Sequence, residues 1–256
     1  MTTVQLTSPK TIGTLAAACL AASVCGVSAQ PGVRPGGAAG RATVTATAET
    51  FGMSSQGRPL RVEIRGLAGA TRNVLVIGCI HGNECAGMPI LNALPREPPA
   101  GVRFWIVGSL NPDGRAARTR QNARGVDLNR NFAYRWQAAG RRGDTYYPGP
   151  RAASEPETRA MQRLIRRARP DVTIWYHQHL RMVEPGGRRP GLARRYARLV
   201  NLPVRMLPAY HGTATGWQNH SFANSTAFVV ELPAGALGAR QARRHARAVL
   251  AIAQRA

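Results

Sequence analysis

A run of apolar residues, "NVLVIGCI", ends in "HGNECAG", which sets His81 three places before Glu84 and flanks the pair with Cys79 and Cys85. An imidazole and a carboxylate on one tight turn are two parts of a divalent metal site. Catalytic zinc takes three protein ligands and keeps one position open for water or substrate. Alone, a His-x-x-Glu pair is also ordinary loop composition. A second apolar run, "DVTIWYHQH", delivers His177 as the third ligand, with His179 as a rival two residues on. Strand alternation sends both to the same side, and His177 is preferred because it lies closer to the regular strand. A third run, "TAFVVELP", carries Glu231. A carboxylate there is costly unless it opens on a cleft or meets a partner, such as one of the many arginines. Beside a metal site, a partly buried glutamate suits the role of general base toward water.

These side chains need elements to position them. "TVTATAET" and "PLRVEIRG" alternate and predict an opening pair of strands. "NVLVIGCI", "VRFWIVGSL", "DVTIWYHQH" and "TAFVVELP" are near-continuous apolar runs, the pattern of strands buried on both faces. Between and after them, "ECAGMPILNAL" has helical spacing until Pro95, and "SEPETRAMQRLIRRAR" predicts a helix with Ser154 as N-cap. "GLARRYARLVNL" and "ARQARRHARAVLAIAQ" predict two more helices. The polar segment from Asn111 to Gly149 is too long for a plain connection and is expected to be functional. The fold class expected is α/β: one domain with a mixed, mainly parallel central sheet and helices on both faces. Ligands in such sheets sit beyond the carboxyl ends of the strands. His81, Asn111, His177 and Glu231 all fall there.

The rest of the composition bounds where such a site would work. Residues 1–29 combine one lysine, an apolar stretch of small residues and "VSA" before Gln30, the pattern of a secretory signal cleaved near Ala29. A buried N-terminal helix, or a lipid anchor at Cys19 or Cys25, are the alternatives. Residues 30–42 are rich in Gly and Pro and predict a flexible linker, which leaves 43–256 as the folded, catalytic domain. No membrane span is expected after removal of the signal. The chain has 256 residues and a formal net charge of +23, which cleavage barely changes because Lys10, its only lysine, is the one charged residue in 1–29. That surface would attract anionic partners. No zinc-finger spacing or aromatic-interleaved basic motif is present, so nucleic acid is not expected. An anionic cell wall fits export better, and arginine enrichment by coding bias is the plainer account.

Together, "HGNE", "NPDG", "TRQNARGVDLNRNF", "YPGPRAASEPET" and "VVELP" resemble, in order and spacing, the zinc carboxypeptidases of the metallocarboxypeptidase superfamily. The likeness covers roughly residues 45 to 250. Its wording looks most like the bacterial branch that includes murein-peptide amidases, which cut the γ-D-glutamyl to diaminopimelate bond. The resemblance implies one zinc per chain on His81, Glu84 and His177, and a peptide substrate with a free C-terminal carboxylate. It implies that Arg120 stabilises the oxyanion, and that Asn129 and Arg130 hold the substrate carboxylate. Glu231 would take a proton from the attacking water and pass it to the leaving amine. Arg118 and Arg124 lie near enough in sequence to compete with Arg120.

Digestive relatives place a mobile tyrosine over the substrate. Here the aligned loop "GTATGWQNHSFANST" has none; the nearest is Tyr210, and Asn219, His220 or nothing is expected to cap the pocket. A basic lining would favour acidic or diaminopimelate-type peptides. For Cys79 and Cys85, two small buried hydrophobes are expected ahead of a disulfide, and thiolate ligation of zinc last. Two other functions stand against the peptidase. One is a zinc deacylase of the aspartoacylase and succinylglutamate desuccinylase type, which shares "HGNE"-like and "DLNR"-like motifs. The other is a cationic wall-binding protein with a degenerate site.

Overall fold

The computed structural model describes residues 46–187 and 189–255; the expected signal, cleavage site, linker and first domain residues lie outside them. The two alternating segments form β1 (Ala46–Met53) and β2 (Pro59–Arg65), paired antiparallel. The apolar runs form β3 (Arg72–Ile77), β4 (Val102–Val107), β5 (Val172–Glu184) and β6 (Thr226–Pro233). The sheet order is β1-β2-β4-β3-β5-β6, with β2 antiparallel to β4 and the last four strands parallel. This is the mixed, mainly parallel sheet that the patterns predict.

Alternation on β3 builds both cores. Val74 and Val76 face one side, with α1 (Met88–Asn92), α4 (Pro190–Val200) and α6 (Ala239–Ala253). Leu75 and Ile77 face the other, with α3 (Pro156–Ala168) and α5 (Ala214–Ser221). All four β3 side chains are fully buried, and burying each stabilises the fold by roughly 2 kcal/mol. No described helix is long and apolar enough to cross a membrane.

Several elements differ from expectation, each for a local reason. The helix expected from Glu84 begins only at Met88. Residues 84–87 instead follow the turn that carries His81, and a Cβ at Gly87 would strike the Gly78 carbonyl and the Tyr176 ring. Ser154 is not the N-cap of α3; that position is Glu155. The Ser154 hydroxyl donates to Glu155 (2.7 Å) and accepts from Asn131 Nδ2 (2.8 Å), so it serves the long polar segment instead. That segment holds a short helix, α2 (Pro112–Ala117), capped by Asn111, whose side chain accepts from Gly114 N. The "SEPET" residues buttress it: Asn122 Nδ2 donates to Glu155 (2.8 Å), and Glu155 N donates to Asn131 Oδ1 (3.1 Å).

A buried polar chain ties three elements behind the ligand strand. Tyr176 OH lies 2.8 Å from Tyr196 OH, which lies 2.7 Å from His245 Nδ1. Burial, then the neighbouring Arg244 charge, pulls the His245 pKa from 6.5 down to about 4. The native ring is therefore neutral and accepts from Tyr196, while the unfolded chain takes up a proton below its ordinary value. Stability conferred here is complete above pH 6.5 and is lost as pH falls toward 4. The loss amounts to about 3 kcal/mol. Chemical denaturation of the wild type and His245→Gln across this window should show their stability difference shrinking with acid. A difference independent of pH would refute this.

Candidate active site

The turn after β3 and the middle of β5 bring three donors together. Glu84 Oε2 lies 2.9 Å from His81 Nδ1 and 3.1 Å from His177 Nδ1. One ligand atom from each residue falls within 4.8 Å of the others, and His81 and His177 are buried. The rival His179 is exposed and outside this group. The turn is held tight because Gly82 packs backbone to backbone against Gly114 and Arg115 of α2, where a Cβ would collide.

Asp127, which sequence reasoning passed over, organises the cluster from below. It is fully buried, and its Oδ1 lies 3.0 Å from His81 Nε2. Its Oδ2 accepts from Arg120 Nε (3.1 Å) and Nη2 (2.9 Å), while Arg120 Nη1 donates to Glu84 Oε1 at 2.6 Å. Burial alone would raise the Asp127 and Glu84 pKa values. His81, Arg120 and Arg130 together outweigh it at Asp127, and His177 with His81 outweighs it at Glu84, so both carboxyls are held well below the ordinary range. For His81, burial disfavours the charge, but Asp127 and Glu84 overcome it and raise the pKa. A carboxylate on Nε2–H leaves Nδ1 to bind a metal, the arrangement most ligating histidines use. Two such nitrogens and one carboxylate oxygen, converging beside a cavity, fit zinc with an open position. The acid inside "VDLNR" gave no sign in sequence of the burial and partners that define its part.

Glu231 stands beside His177, since the β5–β6 register pairs the two residues. It is 7% exposed, and its carboxylate accepts from Leu180 N at 3.4 Å. His81, Glu84, Arg120, Asn129, Arg130, His177 and Glu231 all line one cavity of about 540 Å³. Arg118 and Arg124 are exposed and do not line it. Asn129 spends its side-chain oxygen on Ala214 N (2.9 Å), fixing the start of α5. Arg130 lies under two rings, with its Cζ 4.4 Å from the Tyr210 centroid and 5.2 Å from that of Tyr146. Tyr146 also contacts Arg120, whose Cζ lies 5.3 Å from its centroid.

Several expectations about the pocket and its neighbouring turn change. Tyr210 lines the cavity beside Arg130, so a tyrosine does face the site, from just before the loop searched for it. Asn219 is no cap: its amide is locked to Ala227, donating to O (2.9 Å) and accepting from N (2.8 Å). His220 stacks on Tyr134, with centroids 4.0 Å apart. Among the described residues, the lining beyond Arg120 and Arg130 is not basic; its remaining formal charge, besides the metal-site and strand-end acids, is Glu184. Finally, Cys79 and Cys85 form a disulfide across the turn, with a Cα separation of 4.8 Å, and are not separate buried thiols.

The profile of the zinc carboxypeptidase family matches residues 100–227. Murein peptide amidase A of Escherichia coli (strain K12) is 34% identical over 148 residues, 53% of this chain and 61% of that protein. The alignment thus spans less than two thirds of that relative. Murein peptide amidase A of Vibrio campbellii is 30% identical over 64% of this chain and 70% of its own. Among solved structures, murein-tripeptide amidase from Escherichia coli O157 superposes with a TM-score of 0.66 at 26% identity, covering 86% of this chain and 96% of that one. Carboxypeptidase A from Helicoverpa armigera gives a TM-score of 0.71 at 18% identity over 82% and 68%, a likeness of fold. With the matching profile over half its length and a convergent His, Glu and His group in the cleft, the chain belongs to the zinc carboxypeptidase family.

Proposed function

We propose that the protein is an exported, zinc-dependent carboxypeptidase that releases the C-terminal residue of a murein peptide. The observation that carries this is the convergence of His81, Glu84 and His177 on a cavity that also receives Glu231, Arg120 and Arg130. The chemistry supplied by one zinc ion between those three ligands is Lewis acidity toward the scissile carbonyl and toward water. The chain's own groups do the rest. Arg130 and the free amide of Asn129 hold the terminal carboxylate, which sets the distance from chain end to scissile bond. Arg120, fixed by Glu84 and Asp127, faces the carbonyl oxygen as negative charge develops there. Glu231 takes one proton from the attacking water and returns it to the leaving nitrogen, so the products are a carboxylic acid and an amine.

The murein substrate is supported by the relatives named murein peptide amidase. Export is supported by the Cys79–Cys85 bridge, since disulfides persist in oxidising compartments. Exposed arginines on α6 (Arg240, Arg243, Arg244 and Arg247) would favour an anionic wall. No feature of the site favours the deacylase or the degenerate binding protein. Zinc-loaded and chelator-stripped protein should be compared on a wall tripeptide ending in diaminopimelate and on ordinary peptides. Cleavage of the tripeptide, lost on stripping and restored by zinc, is expected. Cleavage of ordinary peptides alone would remove the murein substrate, and cleavage of neither would remove the peptidase.

A further inference from the structure

Three carboxylates line the cavity, and two of them have work in the reaction just described. Glu84 is engaged by His81, His177 and Arg120, and Glu231 stands beside His177. Glu184 has no such task, and among the described residues it forms no ion pair.

Its place follows from the path of β5. After His179 the partner residues on β6 run back from Pro233, so that Met182 meets Glu231 and Glu184 meets Val229. Val183 is then tied to the next segment, donating to Pro203 O (2.9 Å) and accepting from Arg205 N (3.1 Å). Glu184 is thereby fixed two strand positions from Glu231, about 7 Å along β6. Beside it, Gly186 and Gly187 press on Asn219, where any Cβ would collide with that locked amide. Next to Glu184 the wall is thus bare glycine backbone backed by the Asn219 side chain. Burial raises the Glu184 pKa, the Leu207 amide relieves this in part, Glu231 adds to it, and Arg130 acts in the opposite sense. The carboxylate therefore sits in the fields of both the proposed base and the proposed carboxylate-binding arginine, with no ion-pair partner among the described residues.

We infer that Glu184 is a specificity residue that receives a positively charged ammonium group on the side chain of the released residue. The inference rests on the carboxypeptidase function proposed above. A substrate whose terminal carboxylate meets Arg130 must send its side chain into the remaining cavity, where Glu184 is the unclaimed acid. The ligand class is a C-terminal diamino acid, whether lysine-like or a diamino diacid.

The test uses zinc-loaded full-length protein and peptides that differ only in a C-terminal lysine or norleucine, made both α-linked and γ-D-glutamyl-linked. Wild type should favour lysine by about 30-fold or more in kcat/KM, the size of a lost desolvated charge pair. Glu184→Gln should bring the ratio toward one, and Glu184→Arg should shift preference to a C-terminal acidic residue. A ratio unchanged by Glu184→Gln, or a wild type that prefers norleucine, overturns the inference while leaving the peptidase intact. If wild type cuts neither pair but cuts the diaminopimelate tripeptide, a Glu184→Gln variant that cuts that tripeptide at the wild-type rate overturns the inference; if the tripeptide is also left intact, the peptidase itself fails and the inference falls with it.

Discussion

Glu231→Gln is expected to lower kcat by about 10²- to 10⁴-fold, the usual contribution of a positioned general base. Glutamine keeps the shape of the side chain and an oxygen that can accept from Leu180 N. What it loses is the ability to take a proton. The parallel register that seats Glu231 beside His177 does not depend on its charge, so zinc content and melting temperature should match the wild type. KM should move little, because terminal-carboxylate binding is assigned to Arg130 and Asn129. A variant within tenfold of wild-type kcat, with zinc still bound, would remove Glu231 as the base.

Arg120→Ala is the second large effect, an expected loss of about 10²- to 10³-fold in kcat, comparable to removing one oxyanion donor. Two contributions meet at this guanidinium. It faces the cavity, and it neutralises Asp127 and Glu84 through three hydrogen bonds of 2.6 to 3.1 Å. Arg120→Lys should restore only part of the rate, because an ammonium cannot span both acids as a planar fork does. Zinc stoichiometry separates the two contributions. A variant that loses turnover but keeps zinc supports the oxyanion role, whereas parallel loss of zinc and turnover would make Arg120 a support for the ligands only. Arg118→Ala and Arg124→Ala, both exposed, should leave turnover near wild type.

The sheet was legible because two of its strands alternate and four are apolar runs, and the candidate site because its proposed ligands stand out as polar residues in or at the end of those runs. His81, His177 and Glu231 each interrupt a hydrophobic stretch, which polar residues rarely do without a function. Local signals were weaker guides wherever a long-range contact decides the conformation. The helix expected from Glu84 fails because the turn is spoken for by Gly82 on α2 and by the bridge. Ser154 has the type of an N-cap, yet Asn131, 23 residues away, claims its hydroxyl. Helix α5 was not foreseen, since Gly216 and a run of small polar residues hide its period; Thr213 caps it and Trp217 buries it. Glu184, and the partners of Asp127, were missed for a related reason. Their significance lies in what the fold sets beside them, and spacing along the chain carries no trace of it.

The covalent clasp between Cys79 and Cys85 spans six positions and encloses both His81 and Glu84. A closure this short removes about 2 kcal/mol of chain freedom from the unfolded ensemble. Two of the three groups proposed to grip the ion are thus prearranged before it arrives, and less of its affinity would go into ordering the polypeptide. An unbridged thiol form would have to organise that stretch at the expense of metal affinity, so redox state and occupancy would be thermodynamically linked if His81 and Glu84 bind the ion as proposed.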